Sequence, residues 1–403
     1  MPTTLLRRVT IVHEDEAGVG GAVADVRLDD GAISEIGDLA AADGEVVEEL
    51  AGHLLLPAAV EPHAHLDKAF LAERIANPTG DLMGAITAMR SNRHLLGVEE
   101  TAERAERAAR LMAANGYRAV RSHADTTVDH GLRSIEALSE VKRRVADVID
   151  VEIVALCGWP VTGAGGADQR ALVTEAMAVG ADVVGGVPHL EDEGSAREAT
   201  EFLLQLATDV GADVDLHTDE TLDASVLGLS ILAELTSAGF SHSVTASHCV
   251  SLGTQDELTQ RRIAERVAEA GIAVVALPHT NLFLQGRGWA PMPRGLTAVA
   301  ALRAAGAVVA AGADNLQDPF NPLGRACPFE TAGLMTMAAH LLPHEAWATV
   351  STASAAATGR EAVTVEVGSA AHLVAVRADT VREAIAFGPA DRVVWRAGER
   401  VHP

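Results

Sequence analysis

Aromatic side chains are scarce in this chain, at 3% of 403 residues. Hydrophobic types supply 48% of the residues, so a large core is available, but it must be built mostly from small aliphatic groups. The length fits one large domain with a smaller appendage, or two domains. Basic charge is also short: 31 Lys and Arg against 56 Asp and Glu leave a formal net charge of −25. Such a surface repels phosphate backbones and anionic lipid, which argues against nucleic-acid and membrane partners. Lysine is nearly absent, with only Lys68 and Lys142, so each is easier to interpret. The three cysteines, Cys157, Cys249 and Cys327, are far apart and odd in number. They predict no disulfide framework and suit a reducing cytoplasm. The opening segment MPTTLLRRVTIVHEDE lacks the apolar run of a signal peptide, and no stretch of 18 or more apolar residues predicts a membrane span.

What is present is patterned. RRVTIV, VADVRLDDGAISEIG and VVEEL read as short strands with a DG turn, and EVGSAAHLVAVRA and DRVVWRAGERV resume that style at the other end. Residues 1–57 and 362–403 are therefore expected to form one small β-domain. Between them, helical stretches such as VEETAERAERAARLMAANG alternate with short apolar strands, among them YRAVRSHAD, VEIVALCGW, ADVDLHTDE and SVTASHCV. That alternation implies a parallel sheet with helical crossovers over 58–361. Roughly eight units suit a (β/α)₈ barrel, with a doubly wound open sheet as the competing architecture. In a barrel, active sites lie at the C-terminal strand ends. His63, His65, His123, His189, His217, His248, His279 and Asp314 all fall at such ends. GAGGADQ lacks the spacing and the GK[ST] ending of a phosphate-binding loop.

His63 and His65, at i and i+2 of a strand, can share a face and one cation. His217 and Asp314 can each add a ligand from its own strand end, although His217 alone could be structural and Asp314 alone could cap a turn. Three imidazoles and a carboxylate form a set for one divalent cation, with zinc, iron or manganese all tolerated. Such an ion lowers the pKa of water toward roughly 7. Glu220, three residues after His217, is the candidate proton shuttle or else the first acid of a following helix. Its neighbour Asp219 is expected to point elsewhere. His248 can polarise a substrate oxygen or position the nucleophile.

PHAHLDK, VGGVPHLED, DLHTDE, VTASH, NLFLQGRG and GADNLQDPFNPLG occur in this order over nearly the whole chain. Together they resemble the cytosine-deaminase-like branch of the amidohydrolase superfamily. The resemblance implies a distorted (β/α)₈ barrel with a small β-sandwich domain from both termini and a mononuclear iron or zinc site. It implies His63, His65, His217 and Asp314 as metal ligands, Glu220 as the proton-shuttling acid, His248 beside the nucleophile and Asp314 also as general base. Gln285 and Arg287 would lie near the pocket, Arg287 alternatively being structural. A binuclear relative would need a lysine at the end of a middle strand. VEIVALCGW has none, and Lys142 lies upstream.

The departures bear on substrate. The PQEG-like segment whose glutamine reads a pyrimidine is replaced by Cys157, Gly158 and Trp159, and Asn315 stands where an aspartate is usual, so cytosine itself is not expected. Lys68, in HLDK, is closer to relatives acting on triazines, including N-alkylammelide amidohydrolases. It could bind a ring oxygen or an anionic substrate, or pair with Asp67 or another acid. Trp159 and Trp289 could stack on a planar ring. Cys157 is expected to shape the pocket rather than act as a nucleophile. The sequence therefore predicts a metal-dependent deaminase of an aminopyrimidine, pterin or triazine, releasing ammonia after cation-activated water attacks the amino-bearing carbon. Alternatives are release of an alkylamine from a substituted triazine, opening of a cyclic amide, and a metal-binding scaffold or sensor without turnover. A small N-heterocyclic molecule is the expected partner, with a homo-oligomer a reasonable prior.

Overall fold

The computed structural model describes residues 3–12 and 21–401. The chain starts with β1 (Thr4–Ile11), β2 (Ala22–Asp29), β3 (Ala32–Gly37), β4 (Val46–Glu49) and β5 (His53–Pro57). Asp30 and Gly31 link β2 to β3 with φ of 46° and 78°, the two positive values that a tight two-residue hairpin needs. A β-bulge interrupts β1 between Leu6 and Val9. One half of β1 pairs with β4 from Thr4 to Arg7, and the other pairs with β5 at Thr10 and Ile11. Bulges bend strands and increase their twist, and here one strand serves two neighbours along the same edge.

After β5, Ala58 alone separates the small sheet from β6 (Ala59–Ala64). Seven further strands follow: β7 (Tyr117–Thr126), β8 (Asp150–Cys157), β9 (Val183–Gly186), β10 (Val214–Thr218), β11 (Val244–His248), β12 (Ala273–Ala276) and β13 (Val309–Ala311). Their spatial order is the sequence order and every pairing is parallel. The circle closes through one bridge, Ala64 to Asp314. There the amide of Asp314 donates to the carbonyl of His63 (3.0 Å), and that of His65 donates to the carbonyl of Asp314 (3.3 Å). A distorted (β/α)₈ barrel results, and its closing seam is also where the ligand candidates meet.

The last strands, β14 (Leu373–Arg377), β15 (Arg392–Arg396) and β16 (Glu399–Arg400), return to the first sheet, where β14 pairs antiparallel with β5. The small sheet therefore draws on both ends of the chain. Its own core holds Leu6, Val26, Ile33, Leu55, Leu373 and Trp395.

The shortage of aromatics shows in how helices meet the barrel. Helices α1 (Leu82–Ser91) and α2 (Val98–Ala114) precede β7. In α2, Ala102, Ala105, Ala108, Ala109 and Ala113 are buried at helical spacing with Met112, a small-residue stripe facing the sheet. Inside β9, a methyl added at Gly185 would come 2.5 Å from Val154 Cγ1 and 3.1 Å from the Asp215 carbonyl. No larger residue fits there without moving the neighbouring strands.

Candidate metal centre and active site

His63 and Ala64 end β6, His65 follows directly, and His217 and His248 lie in the last turns of β10 and β11. Asp314 sits three residues past β13. His248 and Asp314 have φ of 71° and 61°, and Asp219 has 51°. Non-glycine residues rarely hold these left-handed values, and such strain concentrates at functional sites. Asp219 points away, as expected, accepting from the amides of Gly228 (2.9 Å) and Leu229 (2.9 Å) at a helix start.

The distant strand ends converge. His65 Nε2 lies 3.2 Å from His217 Nε2 and 3.3 Å from Asp314 Oδ1, and His63 Nε2 lies 3.6 Å from the same oxygen. Ligand atoms held at roughly 2.0–2.1 Å from one cation sit about 3.0–3.4 Å apart, so these spacings suit a shared ion. Among the described residues three compact triads share His63: His63–His65–Asp314, His63–His217–His248 and His63–His123–Asp215. His63 Nε2, His217 Nδ1, His248 Nε2 and both oxygens of Asp314 are buried without hydrogen bonds. Buried polar atoms in this state are costly unless something satisfies them. A divalent cation among His63 Nε2, His65 Nε2, His217 Nε2 and Asp314 would satisfy the His63 nitrogen and the Asp314 oxygens; His217 Nδ1 and His248 Nε2 would not be its ligands.

Hydrogen bonds behind the rings fix which nitrogen is free. His63 Nδ1 lies 2.8 Å from Ser247 Oγ; His65 Nδ1 lies between the carbonyl of His123 (3.1 Å), which can only accept, and the Lys68 ammonium (3.0 Å), which can only donate. In both rings it is Nε2 that faces the cluster. His248 is set the other way: the Asn281 amide donates to its Nδ1 (3.0 Å), so Nε2 carries the proton and is a donor. Burial first, then neighbouring imidazoles, holds His63 and His217 well below the ordinary histidine range. They are neutral, as coordination requires. Glu220 is buried, its Oε1 lacks a partner, and that oxygen lies 3.6 Å from His248 Nδ1. Burial, reinforced by Asp314, pushes its carboxyl well above the usual range.

Beside the cluster opens a cleft. His65, His217, Glu220, His248 and Asp314 reach it, as do Lys68, Cys157, Trp159 and Asn315. Lys68 is 4% exposed, and its ammonium lies 2.7 Å from Asp125 Oδ1, 3.7 Å from Asp67 Oδ1 and 3.0 Å from His65 Nδ1. Its main acid is thus Asp125 rather than its sequence neighbour. Asn315 donates to Asp318 Oδ2 (2.7 Å). Burial pushes the Cys157 thiol up to about 12, which makes it a wall group rather than a nucleophile. The Trp159 ring carries the Arg90 guanidinium 4.3 Å from its centre.

Other expected residues lie apart. Trp289 is 55% exposed and is not part of the cleft lining. Gly286 and Gly288, at φ of 74° and 77°, turn that loop sharply around it. Gln285 also stays outside the lining, but its amide donates to the Glu220 carbonyl (3.2 Å) and so braces the acid's backbone. Arg287 is a loop tether, donating to the Gly80 carbonyl (3.0 Å). His279 faces Glu330 at 3.5 Å. His123 stacks on His63 with ring centres 3.8 Å apart, and His189 enters the cleft lining after β9. The sequence did not single out Asp125, Arg93, Ser247 or Asn281. Only Asp125, in SHAD at the end of β7, carried a usable signal, namely a charge at a strand terminus.

A profile of the amidohydrolase family matches residues 70–402. The pterin deaminase of Rhizobium rhizogenes (strain K84 / ATCC BAA-868) is 36% identical over 386 residues, covering 93% of this chain and 87% of that protein. The 5-methylcytosine deaminase of Klebsiella pneumoniae, solved with 5-fluorocytosine, superposes with a TM-score of 0.88 at 30% identity, covering 99% of this chain and 97% of that one. The N-isopropylammelide isopropylaminohydrolase of Burkholderia multivorans gives 0.83 at 29% identity, covering 100% and 98%. The chain belongs to the amidohydrolase family, within its cytosine-deaminase-like branch. It is a hydrolase of non-peptide carbon–nitrogen bonds that works with a divalent metal ion.

Proposed function

We propose that this metal-dependent heterocycle deaminase removes the exocyclic amino group of a pterin-type ring as ammonia. The observation that carries the reading is Glu220, a buried carboxyl whose ionisation is disfavoured by burial and by Asp314, at the edge of the His65–His217–Asp314 cluster. Similarity to pterin deaminase over 93% of the chain favours the bicyclic ring. The cleft supports it, with Trp159 and Phe320 beside Lys68, Thr280 and Asn315.

In this reading His63, His65, His217 and Asp314 hold one ion of zinc or iron. β8 carries no lysine at its end to support a second. When bound, the cation supplies Lewis acidity that makes water nucleophilic near neutral pH. Asp314 accepts the proton of the attacking water. Glu220, whose burial favours the protonated form, donates to the ring nitrogen; the proton that Asp314 took from water goes to the departing amine, and the proton left on the added hydroxyl returns to Glu220 as the carbonyl forms. His248, with its proton fixed on Nε2, donates a hydrogen bond to the oxygen entering the ring and stabilises developing charge. Lys68 and Asn315 present donors to ring oxygens. The buried free thiols of Cys157, Cys249 and Cys327 support a reducing compartment.

The likeness to N-isopropylammelide isopropylaminohydrolase supports a second reading, release of an alkylamine. Leu82, Ile86, Met89, Leu156 and Leu190 form an apolar wall that would accept an N-alkyl group. A panel of pterins, aminopyrimidines and N-alkylated triazines, assayed for ammonia and for alkylamine, separates the two. Glu220→Gln should keep the metal content and lose at least about 100-fold in kcat. Full turnover in that variant, or after chelation of the metal, refutes the mechanism.

A further inference from the structure

Beneath the ligand cluster the barrel interior is charged. Arg121 on β7 is 2% exposed, and Asp215 on β10 and Ser247 on β11 are both 0% exposed. Arg121 Nε donates to Glu152 Oε2 (2.6 Å), and its Nη1 donates to Asp215 Oδ2 (3.0 Å) and Thr245 Oγ1 (3.2 Å). Ser247 Oγ donates to Asp215 Oδ1 (3.1 Å) and lies 2.8 Å from His63 Nδ1. Residues of β7, β8, β10 and β11 thus contribute one continuous chain of hydrogen bonds ending on the His63 ring, a ligand in the proposed metal site.

Proton counting gives this chain a direction. A serine hydroxyl has one proton, and an ionised carboxylate can only accept. Burial pushes the Asp215 carboxyl up to about 6, and the Arg121 guanidinium at 3.0 Å opposes that shift, so the carboxylate form prevails at neutral pH. The Ser247 proton therefore goes to Asp215, and toward His63 the hydroxyl oxygen is an acceptor. His63 must carry its own proton on Nδ1, which leaves Nε2 bare toward the cluster, where it has no hydrogen bond. Behind His65 stand a backbone carbonyl and the Lys68 ammonium instead. Among His63, His65 and His217, only His63 is tied through a hydroxyl to a buried carboxylate; His130, outside the cluster, has the same kind of link through Ser134 to Asp67.

From this geometry we infer that Asp215 and Ser247 are positioning residues that lock the His63 tautomer and raise the basicity of its Nε2, with Arg121 anchoring the relay. Carboxylate partners behind a ligating imidazole do this in metal sites generally. The relay also answers a second possibility. His63, His123 and Asp215 are themselves close enough to suggest a cation. In the relay, His63 Nδ1 is already engaged by Ser247 at 2.8 Å and offers no lone pair. The relay rests on His63 being a ligand, and the test separates failure of that reading from failure of the relay.

Ser247→Ala is the informative variant because it leaves the Arg121–Asp215 and Arg121–Glu152 pairs intact. Zinc affinity is measured by competition with a chromophoric chelator, with His63→Ala as control and the thermal midpoint of the chelated proteins as a check on folding. Zinc affinity should fall about 10- to 100-fold in Ser247→Ala, with the chelated midpoint unchanged. Substituted with cobalt, its visible spectrum should shift. Equal zinc affinity in Ser247→Ala and the parent, with loss in His63→Ala, overturns the relay. Unchanged zinc affinity in His63→Ala overturns the ligand reading beneath it. A variant-free measurement stands beside these: nitrogen-15 shifts of the zinc-loaded parent should show His63 protonated at Nδ1, and protonation at Nε2 overturns the inference even if Ser247→Ala does not fold.

Discussion

Replacing Lys68 with methionine keeps the length of the side chain and removes its charge. The Lys68 side chain is 5% exposed and that of Asp125 is 14% exposed, with 2.7 Å between ammonium and carboxylate. Breaking a buried pair by removing one partner costs about 3–5 kcal/mol, because the other charge is left uncompensated. Arg93 Nη1 remains 3.4 Å from Asp125 Oδ2, which places the expected loss near the lower figure, about 3 kcal/mol. For a chain of this length that is a fall of about 3–4 °C in thermal midpoint if unfolding is cooperative. The acid limb gives a sign. Burial alone would raise the Asp125 carboxyl, but Lys68 and then Arg93 outweigh it and hold it below the usual range. A depressed carboxyl stabilises the fold above its unfolded pKa and loses that contribution as pH falls through its folded value. The difference between parent and Lys68→Met should therefore shrink in acid. Scanning calorimetry from pH 7 to 3 reads both effects. The double variant Lys68→Met/Asp125→Leu should regain most of the stability, and a persistent deficit in kcat/KM would then belong to substrate binding. An unchanged midpoint in Lys68→Met, or a gap that widens in acid, refutes the pairing argument.

Two further expectations concern the metal and its neighbours. Asn281→Leu strips the donor from His248 Nδ1 and frees the ring to take either tautomer, so kcat should drop at least about 10-fold while zinc content by elemental analysis stays at the parent level. Zinc added to chelated protein at roughly a thousand times its dissociation constant should stabilise the fold by about 4 kcal/mol. A midpoint insensitive to zinc would mean that the orphaned donors do not bind it.

Much of this architecture was readable before any coordinates. The alternation of short apolar strands with amphipathic helices marks β7 through β13 because strand and helix periodicities differ, and polar residues stand out at the end of an apolar run. His63, His65, His217 and Asp314 are legible for that reason. The residues that orient them are not. Ser247 and Asn281 are small polar groups whose meaning comes from a partner on another strand or helix, and nothing in VTASH or PHTNLF says which imidazole nitrogen each will touch. Lys68 shows the same limit: its neighbour Asp67 was the obvious acid, but the turn after β6 aims the ammonium at Asp125 on β7. Trp289 was attractive because aromatics are rare, and rarity says nothing about which way a glycine-flanked loop turns.

The crowding of imidazoles ties metal retention to pH. Burial pushes His189 and His248 down to about 4, against the opposing charge of Asp314 at His248, and burial followed by neighbouring imidazoles holds His63, His123 and His217 well below the ordinary histidine range. An unfolded chain takes up protons on these rings near pH 6.5, and the folded chain, with His189 and His248 at about 4, resists them. Between those values the unfolded state binds more protons, so stability falls as pH drops from about 6.5 toward 4. A ring that ligates a cation must be neutral, so the cation and the proton compete for His63, His65 and His217. Acidification should therefore release zinc and unfold the protein in one linked transition, with protons consumed as zinc appears. Zinc-loaded protein should resist acid to a lower pH than chelated protein. Following zinc release with a chromophoric chelator and unfolding by circular dichroism on the same samples tests the linkage. Zinc leaving well before any loss of structure, with chelated and loaded forms unfolding at the same pH, would show that the cluster's neutrality and the fold's stability are independent.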